Sequence, residues 1–264
     1  MLQFCANLSM MFNEVDFLAR FGAAKQAGFA GVEFLFPYDH PVATVRERLD
    51  GEGLTLALFN MPPGEWAAGE RGIACLPDRK QEFRDGVARA LDYAGALGCP
   101  LVHCMAGIVP AGVSRDVAWV VYVANLAWAA ERASAQGVLI ALEPINHRDM
   151  PGFLLNTTGE GAAVVEALGR DKVGLQFDVY HCQVTEGDIT KRFEALLPAI
   201  AHIQIADVPL RNEPGSGEIA WHYVFDRIEA SDYQGWVGCE YRPAKGTIEG
   251  LKWRETFGVN SRLR

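Results

Sequence analysis

No two cysteines in this 264-residue chain are spaced as a CxxC pair, and the six present (5, 75, 99, 104, 182 and 239) lie mostly in or beside apolar runs. That usage argues against a disulfide frame or a cysteine-rich zinc module and fits buried free thiols in a reducing compartment. Long hydrophobic runs are also missing: no stretch of 18 residues is both apolar and uncharged, and the opening MLQFCANLSM has neither a basic n-region nor an extended apolar segment. A soluble, cytoplasmic protein without a membrane span is expected. Positive charge is scarce, with 24 Lys and Arg against 33 Asp and Glu and a net charge of −9. Such a surface opposes a phosphate backbone, so nucleic acid is not expected as a partner. No GxGxxG or GxxxxGK[ST] loop follows any strand-like run, which removes the main support for a nucleotide-binding open sheet. Nor does a Pro/Gly/Ser linker or a break in composition divide the chain, so residues 1–264 read as one domain.

What is present is strict alternation. Short apolar runs at 3–8, 31–36, 54–60, 100–106, 138–143, 173–178, 201–206 and 235–240 read as strands. Helical patterns separate them near 14–27, 41–52, 79–97, 114–136, 157–169, 188–199, 218–230 and 246–257. Asn13 and Ser114 stand where N-caps belong, and Gly28, Gly53, Gly98 and Gly137 where glycines end helices. Eight β–α units at this length predict a parallel (β/α)8 TIM barrel, whose site lies at the carboxyl ends of the strands.

The strand ends are polar. VLIALEPINH delivers Glu143, VGLQFDVYH delivers Asp178, IAHIQIADVP delivers Gln204 and then Asp207, and GWVGCEYRP delivers Glu240, with Asn7 and Asn60 at earlier strand ends. A carboxylate taken out of water unpaired costs several kcal/mol, so an acid at the end of a buried run is paired, protonated or given a metal. Glu143, Asp178, Gln204 and Glu240 on neighbouring strands converge and repel one another without a cation. Their all-oxygen donor set suits Mg²⁺ or Mn²⁺ better than Zn²⁺. His181, three residues beyond Asp178, faces the same mouth, while His147 and His103 are weaker candidates. Arg211, in the glycine-rich loop after the seventh strand, either meets a substrate carboxylate or ties its own loop by an ion pair. The long third βα connection, 61–80, carries Trp66, Glu70 and Arg71 and reads either as a lid over a small anionic or hydroxylated ligand or as a surface loop anchored by Trp66.

The strings ANLSMMF (6–12), GVEFLFPYD (31–39), GEWAAGERGIA (64–74), LEPINH (142–147), FDVYH (177–181), HIQIAD (202–207), EPGSGEI (213–219) and GWVGCEYRP (235–243) resemble hydroxypyruvate isomerases and the related 2-oxotetronate isomerases. These belong to the xylose isomerase-like TIM-barrel superfamily, and the likeness spans essentially the whole chain. The resemblance implies Glu143 and Glu240 as proton donor and acceptor, and Glu143, Asp178, Gln204 and Glu240 as ligands of a divalent ion. It also matches His181 to a histidine of the ketose 3-epimerases. Those epimerases usually carry histidine where this chain has Gln204, which favours the isomerase branch. Glu70, Arg71, Arg211 and His181 are the residues assigned to substrate contact. The expected partner is a small keto acid or sugar acid, with a homo-oligomer compatible. A ketose 3-epimerase, an endonuclease-like nuclease and a non-catalytic sugar-binding barrel are the alternatives. Against the nuclease stand the net charge and only six histidines.

Overall fold

The apolar runs pair in sequence order. In the computed structural model, which describes residues 2–258, β1 (Gln3–Asn7), β2 (Gly31–Phe34), β3 (Thr55–Asn60), β4 (Leu101–His103), β5 (Leu139–Leu142), β6 (Val173–Asp178), β7 (Ile200–Ile205) and β8 (Trp236–Cys239) form a closed barrel. Every pairing is parallel, and β8 closes the ring on β1. Around it lie α1 (Phe17–Gln26), α2 (Val42–Glu52), α3 (Lys80–Leu97), α4 (Arg115–Ser134), α5 (Thr158–Leu168), α6 (Val179–Thr185), α7 (Ile189–Leu196), α8 (Trp221–Glu229), α9 (Thr247–Gly250) and α10 (Trp253–Thr256). This is the expected TIM barrel. The main apolar core lies between strands and helices, where Phe4, Phe21, Phe34, Phe59 and Trp221 are almost completely buried.

Several boundaries differ from the sequence expectation, each for a local reason. The first helix begins at Phe17 behind Asp16, so Asn13 is not its N-cap; the Asn13 amide instead donates to the Met10 carbonyl. The fourth strand ends at His103 rather than at 106, because the chain turns away to hydrogen-bond the loop at 72–75. Helix α6 starts directly at the end of β6, a helix the sequence pattern did not announce. Its N-cap is Asp178, whose Oδ1 accepts from Tyr180 N at 2.7 Å and His181 N at 3.3 Å. The last expected helix is two short pieces, α9 and α10. Ser114 does cap α4 through Val117 N, and Gly28, Gly53, Gly98 and Gly137 all adopt positive φ where helices end.

Inside the barrel the side chains stack in layers, because residues two apart on a strand share a face. The mouth layer comprises Asn7, Asn60, His103, Glu143, Asp178, Gln204 and Glu240, all buried. Two residues deeper come Cys5, Leu58, Leu101, Ala141, Gln176, His202 and Gly238. On β3 to β5 that second layer is apolar, forming a small separate cluster of Leu58, Leu101 and Ala141. On the other side it is polar.

The loop from β7 to α8 is held by one carboxylate. Asp207, buried, accepts from Val208 N at 2.9 Å, Ile219 N at 3.1 Å, Gly215 N at 2.8 Å, Gly217 N at 2.9 Å and Trp221 Nε1 at 2.9 Å. The backbone must pass close: a Cβ on Gly217 would lie 1.9 Å from the Val208 carbonyl oxygen. Asp207 O also accepts from Arg211 N, which fixes Arg211 at φ 59°. Asp207→Asn turns an NH2 toward backbone donors and removes charge from these bonds, at a cost of about 2–3 kcal/mol. A fall in Tm of roughly 5–10 °C with unchanged secondary structure is expected, and a circular-dichroism melt at the parent midpoint would show that the clasp does not depend on charge.

Candidate active site

Glu143 follows directly on β5, Asp178 ends β6, and Glu240 follows directly on β8, so the barrel geometry carries three carboxyl groups to one mouth. They are 5 %, 3 % and 8 % exposed. Arg211 reaches in from the Asp207-held loop, its Nη2 2.5 Å from Glu240 Oε2 and 3.3 Å from Asp178 Oδ2, with the guanidinium 5.1 Å from the Tyr180 ring centre. Burial works against the Arg211 charge, but Glu240, Asp178 and Glu143 more than offset it, and the guanidinium stays ionised.

His181 lies at the first turn of α6 with Nε2 3.6 Å from Asp178 Oδ2 and 3.9 Å from Glu143 Oε1. Its Nδ1 is met by the Asn146 backbone N–H at 3.4 Å and by Asn146 Nδ2 at 2.6 Å. An N–H aimed at Nδ1 makes that nitrogen the acceptor, so the proton sits on Nε2 and points at the carboxyl groups. Burial, with Arg211 and His103 nearby, holds the His181 pKa far below its usual range, so the ring is neutral. His103 is likewise pushed down by burial, to about 3, and stands 3.8 Å from Glu143 Oε2.

Each carboxyl is displaced upward. Burial, followed by Glu240 and Asp178, raises Glu143 well above the carboxylate range. Burial raises Asp178 against Arg211 and the two α6 amides. Burial raises Glu240 to about 8, with Arg211 opposing and Asp178 and Glu33 adding to it. Three acids face one guanidinium, and Glu143 Oε1 is buried with no hydrogen-bond partner. An excess of negative charge with an orphaned oxygen fits a divalent cation, and the carboxylate oxygens are the hard donors that Mg²⁺ or Mn²⁺ prefer. Ligand atoms of Glu143, Asp178 and His181 lie within 4.8 Å of one another.

The other expected residues fall differently. Gln204 lies beside Asp178 in register, but its amide is engaged deeper in the barrel, where Oε1 accepts from Gln176 Nε2 at 2.6 Å and Nε2 donates to Glu33 Oε1 at 2.8 Å. Glu70 is drawn into the third loop itself: it pairs with Arg79 and accepts from Glu65 N at 2.6 Å. Arg71 stacks 3.9 Å above the Trp66 ring and donates to the Trp66 and Glu70 carbonyls. Trp66 in turn packs on Phe36 with ring centres 5.1 Å apart. In this arrangement Glu70 and Arg71 hold the loop. His147 is exposed. Sequence reasoning missed Glu33, Asn146, Gln176 and His202, all at most 1 % exposed. Gln176 and His202 were readable, since they lie two residues before Asp178 and Gln204 on the same strand face.

A family model described as xylose isomerase-like TIM barrel matches residues 21–257. The chain is 51 % identical over 257 residues to the 2-oxo-tetronate isomerase of Cupriavidus necator, covering 97 % of this chain and 99 % of that one. It is 48 % identical over 257 residues to the hydroxypyruvate isomerase of Escherichia coli, covering 97 % and 100 %. A crystal structure from Brucella melitensis, described as an AP endonuclease of family 2, superimposes with a TM-score of 0.94 at 46 % identity over 97 % of this chain and 99 % of that one.

The raised carboxyls make stability depend on pH. Glu240 titrates near 4.3 when unfolded and at about 8 when folded. Between those values the native state keeps a proton that the unfolded state has lost, so its contribution is full below pH 4 and disappears as pH rises through 8. For chelator-treated protein, Tm is expected to fall from pH 5 to pH 8, and less steeply in Glu240→Gln. Equal slopes in parent and variant would mean that Glu240 is not displaced.

Proposed function

The chain belongs to the xylose isomerase-like TIM-barrel family, and we propose that it is an isomerase of short 2-oxo acids, interconverting hydroxypyruvate and tartronate semialdehyde through an enediol. The observation that carries this is the pair of buried glutamates, Glu143 and Glu240, both pushed upward at one barrel mouth, with Arg211 paired to Glu240. Two interacting acids displaced in this way titrate as a pair, one able to accept while the other donates.

The proton accounting follows from the substrate. The ionised glutamate takes a proton from C3, and the electron pair of that C–H bond becomes the C2–C3 double bond while the C2 oxygen gains a proton. The C3 hydroxyl then gives up its proton and becomes the aldehyde, and the protonated glutamate delivers a proton to C2. Which glutamate acts first is a matter of substrate orientation. His181, with its Nε2 proton facing the acids, is suited to donate a hydrogen bond to the charge that develops on oxygen. Arg211 is the cation nearest the acids and suits the substrate carboxylate, a contact whose planar geometry favours Arg over Lys.

Glu143, Asp178 and Glu240 are the residues that would hold a divalent ion, and the Gln204 oxygen could join them only by sharing or leaving its bond from Gln176. An ion bound there would supply Lewis acidity toward the substrate oxygens. A cytoplasmic location is supported by six free, buried cysteines, and no helix of the described residues is long and apolar enough to cross a membrane.

A second reading, 2-oxotetronate as the substrate, is favoured by the relative at 51 % identity; the same proton transfers serve it. The nuclease description of the Brucella structure finds no support in a net charge of −9 and six histidines.

Glu143→Gln and Glu240→Gln should each lower turnover about a hundredfold or more, the usual scale of a lost general acid or base, while a substrate screen compares hydroxypyruvate with 2-oxotetronates. Parent-like turnover in either variant removes that residue from the chemistry. Metal ligation needs ionised carboxylates, so Mg²⁺ or Mn²⁺ added to chelator-treated protein should raise Tm more at pH 8 than at pH 5.5. A rise that is absent, or larger at pH 5.5, would contradict the carboxylate site.

A further inference from the structure

Beneath the mouth lies a buried anion that neither the proton transfers nor the cation site uses. Glu33, on β2, is fully buried, and each of its oxygens is met by two groups that donate. Oε1 accepts from Asn7 Nδ2 at 3.0 Å and Gln204 Nε2 at 2.8 Å. Oε2 lies 2.6 Å from His202 Nε2 and accepts from Cys5 Sγ at 3.4 Å. The barrel is built to make room for it. A Cβ on Gly238 would lie 2.4 Å and 2.5 Å from the two Glu33 oxygens, so only glycine leaves that space. Two register shifts in the barrel fall beside this network. One lies between Val32 and Glu33, where β3 contributes the extra residue Ala57, and the other between Leu175 and Gln176, where β7 contributes Ala201. Such irregularities commonly re-aim side chains near sites.

A carboxylate with four donors around it accepts and does not donate, and that fixes the direction of every amide it touches. Gln204 must turn its NH2 to Glu33, which leaves its oxygen facing Gln176. Gln176 must then present its NH2 to that oxygen, at 2.6 Å, with its second N–H on the side of Glu143. On the other arm, the Asn7 NH2 that meets Glu33 also donates to Glu240 Oε1 at 3.4 Å, while Asn7 Oδ1 is taken by Ser9 N at 3.0 Å. We propose that Glu33 is a positioning residue: out of reach of substrate, it sets the polarity of two amide arms so that N–H donors face both Glu143 and Glu240. Free carboxamides could present either end, and an oxygen turned toward either glutamate would set acceptor against acceptor. Glu33 removes that freedom.

This rests on the proton-transfer roles proposed for Glu143 and Glu240, and the test separates the two ideas. Glu33→Gln keeps the shape but offers an NH2 of its own, so the amides of Gln204 and Asn7 are no longer held in one direction. In the folded variant kcat for hydroxypyruvate should fall about 10–100-fold, the range seen when groups that orient reactive ligands are removed, with KM within about threefold of the parent. The side-chain 15N–1H signals of Gln204 and Gln176 should shift in the same sample, a readout that does not depend on turnover. Should Glu33→Gln not fold, Gln176→Met cuts the Glu143 arm alone and should lower kcat with little change in KM. Parent-like kcat in a folded Glu33→Gln or Gln176→Met protein, or unshifted amide signals in Glu33→Gln, would overturn the proposal. A parent that turns over neither keto acid would instead remove the functional reading, while the amide signals still decide whether Glu33 orients Gln204.

Discussion

Three carboxyl groups and one guanidinium share the mouth of this barrel almost out of contact with water, and much of the surrounding chain serves to keep them there. Buried charge is tolerated only where partners are fixed. Asp178 is partly relieved by the first amides of α6, and Arg211 is carried in by a loop whose course is set by the buried Asp207. Glu143 is left with an orphaned oxygen and Glu240 with a pKa of about 8. Burial displaces both upward, Glu240 into the range in which a carboxyl group trades protons near neutral pH.

The polar half of the second layer bears on the same constraint. On β3 to β5 the barrel is filled by Leu58, Leu101 and Ala141, as ordinary packing requires. Toward β6, β7, β8 and β1 the corresponding positions hold Gln176, His202, Gly238 and Cys5, grouped about Glu33. Burial alone would push the Glu33 carboxyl upward. His202 and the amides of Gln204 and Asn7 outweigh burial and hold it below its usual value. A fully satisfied anion of this kind is rigid, because each partner lost would leave an uncompensated charge.

The barrel was legible because eight apolar runs alternate with eight helical patterns, and the mouth was legible because Glu143, Asp178 and Glu240 each end such a run abruptly. Period-two parity extends that signal one layer down to Gln176 and His202, which had been absorbed into their apolar strands. Glu33 escaped for a physical reason: its placement depends on a register shift at Val32/Glu33 and on the space above Gly238, and neither is visible in the pattern of one strand. Loops were less legible than strands. Glu70 and Arg71 were legible as loop charges, but the partners they take in the structure, Arg79 and the Trp66 ring, were not. Arg211 was readable as a loop cation, but its reach to Glu240 follows from the Asp207 clasp, which joins residues as far apart as 207 and 221.

Glutamates displaced in this way are suited to move protons on carbon. That role is tested most directly by incubating the protein with hydroxypyruvate in D2O and following the substrate and product carbons by NMR. Tartronate semialdehyde carrying solvent deuterium at C2, together with deuterium washed into C3 of the remaining hydroxypyruvate, is the result expected of glutamates that exchange with solvent between transfers. Conversion with the original hydrogen delivered intact to C2 and no solvent label at either carbon would contradict transfer by solvent-exchanging glutamates, and would leave a single shielded base or direct hydride migration between the two carbons.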